Sequence, residues 1–158
     1  MNLDGLIVRE ARSDDYEPLL ALEQKVVDAE RPYNALLKET GAYYYDINKL
    51  ISAQDTKLFV GEISGALIAT GYVQIRQSKA SLQHAKHGYL GFMYVAEAYR
   101  GLGLNQVILQ KLVSWGQAQG INHFYLDVYA KNSSAIRAYE KFGFQSSLLE
   151  MTLNTEAD

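Results

Sequence analysis

Between Tyr89 and Gln119 an apolar run passes through a glycine-rich turn into an amphipathic helix, and this junction limits the folds open to the chain. Tyr89 to Val95 (YLGFMYV) shows no polar–apolar alternation. A strand of that kind is buried on both faces and lies inside a sheet. Apolar residues then recur at Leu104, Ile108, Leu112 and Trp115, one stripe of a helix that Gly120 can cap. A central strand feeding such a helix requires a sheet with helices laid on it.

The rest of the chain supplies the partners. Leu6 to Arg9 reads as a short strand. Ser13 offers an N-cap to a helix running to Glu30, with acids in its first turn, Pro18 near its start and Leu19, Leu22 and Val26 at helical spacing. Arg31-Pro32 breaks that helix. The tyrosine-rich stretch to Ser52 predicts a second helix over 35–39, ended by Gly41. Leu58 to Ile63 and Ala66 to Ile75, joined by Ser64-Gly65, read as a β-hairpin. Arg76 to Gly88 is a polar loop carrying His84 and His87. Phe124 to Tyr129 is a strand, Ser133 to Phe142 a short helix closed by Gly143, and Phe144 to Leu153 a last strand. The expectation is a mixed α/β (α+β) fold: one domain over residues 1–153, with a mostly antiparallel sheet flanked by helices. Residues 154–158 form a fraying tail.

Composition removes several function classes. The 158 residues hold one core of ordinary size, and 48% hydrophobic with 21% charged residues is a globular balance. A net charge of −3 gives no basic face for nucleic acid and mildly suits a cationic substrate. With no cysteine, disulfides, thiolate metal sites and a cysteine nucleophile are excluded, and no metal is expected. The opening MNLDGLIVRE has acids and no apolar run of signal length, and no stretch is long enough to span a bilayer. A soluble, cytoplasmic protein without a membrane partner is expected.

The chemistry concentrates in two segments. Val95-Ala-Glu-Ala-Tyr-Arg-Gly-Leu-Gly-Leu-Asn105 leads from the buried strand into the helix. Gly101 and Gly103 let the backbone turn tightly and meet a ligand closely. The helix behind them aims free N–H groups at the loop, a site for phosphate or pyrophosphate, with Arg100 as an adjacent cation. The plainer reading is a lubricated turn with a surface arginine. No Gly-Lys-Ser/Thr follows, and the third glycine of a dinucleotide fingerprint is missing. The second segment, Leu126 to Phe144, pairs a strand end with Asn132 and a short helix. Asn132 can reach a ligand across the strand ends, and Tyr139, two helical turns on, offers a phenol toward the same cleft.

Together these segments resemble the acetyl-CoA-binding core of the GNAT superfamily of N-acetyltransferases. The family's Q/R-x-x-G-x-G/A motif reads Arg100-Gly-Leu-Gly103-Leu-Asn105. Its Asn-x-x-Ala-x-x-x-Tyr-(Glu-Lys)-x-Gly-Phe pattern reads from Asn132 to Phe144. The resemblance covers about Tyr89 to Phe144. It implies that Tyr89–Val95 and Phe124–Tyr129 splay apart at one end, with the pantetheine arm of acetyl-CoA in the gap against the backbone of Met93 and Val95. The amides of Arg100, Gly101, Leu102, Gly103, Leu104 and Asn105 would hold the pyrophosphate, with Asn132 as a further contact. An amide of Tyr94 or Val95 would stabilise the oxyanion, and Tyr139 would protonate the departing thiolate. The amine of a small molecule or peptide would attack directly in a ternary complex. A CoA-binding sensor or interaction domain without catalysis is the alternative function, and a nucleotide-binding regulator a third. Relatives often dimerise, so a homodimer is expected on the resemblance alone.

Two departures stand out. Asn105 occupies a position where the family has Gly or Ala, and it is expected to be tolerated at a helix start. The strand entering the motif, Gly88 to Val95, carries no acid to deprotonate an ammonium of pKa ~10. The candidates are His87, acting through water, His84, Glu62 and Asp127. Each has a structural reading: His87 as a solvated loop residue, Asp127 as an ion-pair partner, Tyr139 as helix packing, Asn132 as a helix cap. Glu97 is expected to stay solvated. The run Tyr43-Tyr44-Tyr45-Asp46 either lines the amine pocket, with Tyr44 on its wall and Asp46 meeting the ammonium, or packs its rings over the core.

Overall fold

One mixed sheet of five strands in spatial order β1-β2-β3-β4-β5 organises the structure, a computed structural model that describes residues 2–156. Its strands are β1 (Ile7–Glu10), β2 (Thr56–Ile63), β3 (Ala66–Gln77), β4 (Lys86–Val95) and β5 (Phe124–Leu126). The first four pair antiparallel and β5 joins β4 in parallel. The β2–β3 turn falls on Ser64 and Gly65, whose φ angles of 50° and 80° give the twist a two-residue hairpin needs. Internal contacts divide the chain after Asp127 into a sheet-bearing unit and a helical one.

In the first unit the two faces of the sheet are covered differently. Leu19, Leu22 and Val26 of α1 (Tyr16–Glu30) and Ile47 and Leu50 of α2 (Ile47–Ser52) share a core with Leu58, Val60, Tyr72 and Phe92. The opposite face takes α3 (Leu104–Ala118), with Leu104, Ile108, Leu109 and Leu112 buried. Gly71 allows that approach: a Cβ there would lie 2.7 Å from Ile108 and from the Met93 sulfur. Phe124 is gripped in the same way, since added Cβ atoms on Gly88 and Gly116 would come within 2.8 and 2.5 Å of its ring.

The second unit holds α4 (Ser133–Phe142). Asn132 Oδ1 accepts the Ala135 amide at 3.3 Å and so caps it. At the other end Gly143, at φ 125°, and Phe144 donate back to the Tyr139 carbonyl.

The α/β class and the mixed, mostly antiparallel sheet are as expected; four details differ. Ser13 lies in a 3-10 turn, Ser13–Asp15, and α1 begins after it at Tyr16. Asp15 there accepts the Arg12 amide at 2.7 Å. Residues 35–39 form no helix, and the Arg31 guanidinium gathers the Lys38 and Glu39 carbonyls at 2.8 and 3.3 Å. The helix of this region is α2 instead, where Asp46 caps the Lys49 amide and two apolar residues reach the core. Strand β5 ends at Leu126, and residues 144–153 form no strand. Leu148, Met151 and Leu153 are 88%, 85% and 87% exposed, so nothing pairs or covers that segment in a ladder. Of the expected tail, Asn154 to Glu156 are exposed and belong to no element, while residues 157–158 lie outside the described residues. Among the described residues no helix is long and apolar enough to cross a membrane.

Candidate active site

The sheet opens between β4 and β5. Parallel pairing runs only from Gly88–Phe124 to Leu90–Leu126, while β4 continues to Val95. Among the described residues, the last half of β4 therefore has backbone without a partner strand on that side. Tyr89 closes the inner end of the split: its hydroxyl donates to Asp127 at 2.8 Å and Arg76 lies over its ring at 3.9 Å.

That free half carries a distortion. Thr70 pairs with Tyr94 and Tyr72 with Gly91, so two residues of β4, Phe92 and Met93, stand opposite Gly71. Phe92 bulges at φ 52°, unusual for an aromatic residue. The Thr70 hydroxyl donates to the Phe92 carbonyl at 2.7 Å in the core and pins the bulge. The alternation of backbone groups is thereby reset just before Met93, Tyr94 and Val95.

From Val95 the chain enters the glycine loop. Gly101 and Gly103 have φ of 78° and 81°, and nothing lies within 4 Å of a Cβ added to either. Such glycines are chosen for conformation and for room above the backbone. Gly103 is the residue before α3, so the first amides of that helix, beginning at Leu104 and Asn105, have no intrahelical acceptor. Arg100 is tied inward: its Nε donates to the Val95 carbonyl at 2.8 Å and its cation sits 5.5 Å over the Tyr94 ring. Loop and strand end are thus held as one piece.

Beside the bulge, on the α1 face, lies a second constellation. Tyr45 stacks on Phe92 with centroids 4.6 Å apart and meets Tyr72 and Tyr44 edge-on. Glu23 is 0% exposed, and its Oε2 accepts the amides of Tyr44 and Tyr45 at 2.9 and 2.8 Å. Its Oε1 is buried without a hydrogen-bond partner among the described residues. Glu30, two turns further along α1, has its carboxyl pushed above the usual range by burial, an effect that Tyr44 opposes. Burial, reinforced by Tyr72, Glu30 and Glu23, holds the Tyr45 phenol far above its ordinary value, against a contact with the Phe92 backbone.

The candidates named from sequence disperse. Met93 to Val95 and Arg100 to Asn105 lie together at the split. Tyr44 and Tyr45 reach the core beside it, while Tyr43 is 68% exposed and Asp46 Oδ1 caps α2. Glu62 binds Arg9 at 2.7 Å, in a cluster where Arg9 also makes two bonds to Asp15. His87 and His84 sit at the far end of β4, both bonded to Ser78, with His84 also bonded to Tyr125. Five residues of strand, roughly 16 Å, separate His87 from Phe92. Burial, His84 and Arg76 hold the His87 imidazole below its usual value. Glu97 is exposed, as expected. In the second unit Asn132 is the α4 cap and Tyr139 is half-buried, edge-on to Phe144 at 6.0 Å. Among the described residues no group of three or more His, Asp or Glu is placed to hold a metal ion.

The sequence reading missed Glu23 and Glu30. They had a signal: Leu19, Glu23, Val26 and Glu30 share the spacing of a single helical stripe, so two acids interrupt an apolar face.

Comparison with known proteins shows the family and the fold. The profile of the acetyltransferase (GNAT) family matches residues 20–144. An N-alpha-acetyltransferase of Sulfurisphaera tokodaii is 24% identical over 143 residues, 87% of this chain and 79% of that protein. The solved structure of a Bacillus halodurans protein superimposes with a TM-score of 0.83 at 23% identity, covering 94% of this chain and 99% of that one. A predicted acetyltransferase from Clostridium acetobutylicum, solved with acetyl-CoA, gives a TM-score of 0.74 at 19% identity over 94% and 96% of the two chains.

Proposed function

The chain belongs to the GNAT acetyltransferase family of acetyl-CoA-dependent N-acetyltransferases, and from that premise we propose that it acetylates the primary amine of a small molecule or peptide by direct attack in a ternary complex. The observation that carries this reading is the continuous path from the unpaired half of β4 through positive-φ glycines to the start of α3. A pyrophosphate needs amides that converge without Cβ atoms in the way, and Gly101 and Gly103 leave that space. Acetyl-CoA supplies the acyl group already activated as a thioester.

The residues divide the work. Amides of Gly101, Leu102, Gly103, Leu104 and Asn105 bind the pyrophosphate. Arg100 positions that loop through Val95 and adds its charge. The backbone of Met93 and Val95 pairs with the pantetheine arm, and an amide of Tyr94 or Val95, aimed by the bulge, receives the oxyanion. Asn132 adds a cofactor contact while capping α4. Tyr139, matched to the family's motif, gives its proton to the leaving thiolate. The domain extends over residues 1–153. The expected homodimer would find apolar surface on Leu148 to Leu153, and sedimentation velocity tests for it.

Thermal unfolding with acetyl-CoA tests the cofactor, since a ligand of the native state must raise the midpoint. A dose-dependent rise with CoA release on adding an amine is the expected pair of results. A rise without release for any amine leaves a CoA-binding domain. No rise at millimolar acetyl-CoA removes the reading.

A further inference from the structure

At the end of β4 away from the glycine loop, a serine hydroxyl is held between two imidazoles. Ser78 stands just past the last rung of the β3–β4 ladder, Gln77 against Lys86, and its amide donates to the Ala85 carbonyl at 2.8 Å. The mouth of the loop between the strands is fixed there. Ser78 Oγ lies 2.7 Å from His84 Nδ1 and 2.9 Å from His87 Nδ1. A hydroxyl has one proton to give, so one imidazole accepts it and the other donates its own Nδ1–H to the same oxygen. Whichever tautomers are present, Ser78 has a base on its proton and a donor on the oxygen that gains charge when the proton leaves. The His84 ring is held from two further sides: its Nε2 meets the Tyr125 hydroxyl on β5 at 2.8 Å, and its face stacks on His123 at 4.2 Å. Nucleophile, base and a third group that orients the base stand within hydrogen-bond reach, the arrangement that activates a serine. Ser78 is half-buried between the exposed Gln77 and Lys79. The amides of Lys79, Ala80 and Ser81 meet no acceptor among the described residues. No carboxylate hydrogen-bonds to Ser78, to either imidazole or to Tyr125, and Arg76 of β3 adds a positive charge felt at His87. Negative charge forming on a carbonyl oxygen is favoured in such surroundings.

We propose that Ser78 is the nucleophile of a second activity, independent of acetyl-CoA: the hydrolysis of small activated carboxylic esters, with His84 as its base and Tyr125 positioning His84. His84 takes the proton because its ring is the one engaged at both nitrogens. The Ser78 oxygen bonds to the ester carbon while its proton passes to His84 Nδ1 and the carbonyl electron pair moves onto oxygen. The loop amides, that of Lys79 first along the chain, receive this charge. The pair returns as the bond to the leaving oxygen breaks, and the leaving group takes the proton from His84. Water then attacks the acyl-serine in the same way, releasing a carboxylic acid and restoring the Ser78 hydroxyl.

The test uses a fluorophosphonate and p-nitrophenyl acetate on the whole chain without acetyl-CoA. The fluorophosphonate should leave its adduct on Ser78 in the peptide mass spectrum and block release of p-nitrophenolate from the ester. Ser78→Ala should lose both the adduct and the burst of p-nitrophenolate while keeping its acetyl-CoA thermal shift. His84→Gln should slow the burst ~10²-fold or more. Tyr125→Phe keeps the ring contacts with both imidazoles and loses the hydroxyl. It should lower the maximal burst rate several-fold with the half-saturating ester concentration and the thermal midpoint unchanged, a split that a packing role would not give. An adduct on another residue, or none, overturns the proposal and leaves the cluster as a clasp on the loop. A burst that survives in Ser78→Ala overturns it too, since imidazole alone would then carry the reaction. The position of the adduct is read on wild type, so it decides the question even where Ser78→Ala fails to fold.

Discussion

Gly91 and Gly103 serve the site for different reasons, and the same substitution separates them. A Cβ on Gly91 would lie 2.5 Å from two ring carbons and the hydroxyl oxygen of Tyr72, which is 6% exposed and packed against Tyr45 and Tyr89. Gly91→Ala should therefore lower stability by about 1–3 kcal/mol through overpacking, read as a lower denaturant midpoint with unchanged slope. Gly103 has nothing within 4 Å of an added Cβ but sits at φ 81°. Gly103→Ala should cost about 1–2 kcal/mol from its left-handed backbone and in addition weaken acetyl-CoA binding, which Gly91→Ala should spare. A thermal-shift titration on both proteins distinguishes the cases. At this scale the glycine motif was legible in the sequence because its residues are local and their reason is conformational. The acids of α1 were not, since an acid on an apolar stripe declares itself only when the facing chain is known. Asp46, read in the sequence as an ammonium partner, caps α2 in the structure, a role that the sequence reading did not give it.

The element that most shapes the site is the bulge in β4, and a residue on the neighbouring strand secures it. Thr70 is 0% exposed and its hydroxyl meets the Phe92 carbonyl at 2.7 Å. Thr70→Val keeps the shape and removes the donor, leaving a buried carbonyl unpaired at a cost of about 1–3 kcal/mol. Because the bulge aims Met93 to Val95, faster amide exchange there and a lower kcat should accompany the lost stability. A fall in stability with kcat unchanged would show that the bulge does not orient the reacting group. The strand itself was readable from its apolar run; the bulge was not, because it arises from the register of β3 against β4 and leaves no residue pattern. Long-range pairing likewise explains the short β5 and the missing strand over 144–153. FYLDVY and the last apolar segment both alternate or cluster as strands do, yet a strand exists only where a ladder partner stands. The segment over 35–39 forms no helix, and its last carbonyls, those of Lys38 and Glu39, are met by the Arg31 guanidinium.

For the molecule as a whole, the three histidines are the groups whose ordinary titration falls nearest neutrality, and they occupy one place. His84 stacks on His123 at 4.2 Å, lies 6.1 Å from His87, and shares Ser78 with it. His84 also reaches Tyr125 on β5, so the cluster ties the loop before β4 to the parallel pair. No acid takes part in these hydrogen bonds. The His87 imidazole is held below its usual value by burial, by His84 and by Arg76. Its folded form therefore resists a proton that the unfolded chain accepts near pH ~6.5. Stability from this source is complete above that pH and is lost as pH falls toward the lower folded value. Glu30 opposes it: a carboxyl raised by burial favours the fold at low pH and loses that contribution as pH rises through its window. The thermal midpoint of wild type should accordingly fall by a few degrees between pH 7.5 and about 5.5, softened at the lower end by Glu30. His87→Gln should flatten the upper part of that slope, and Glu30→Gln should steepen the lower part. These variants separate two sources of one stability profile, the histidine end of β4 and the half-buried acid at the end of α1. A slope left unchanged by both substitutions would mean that neither group carries the pH dependence of the fold.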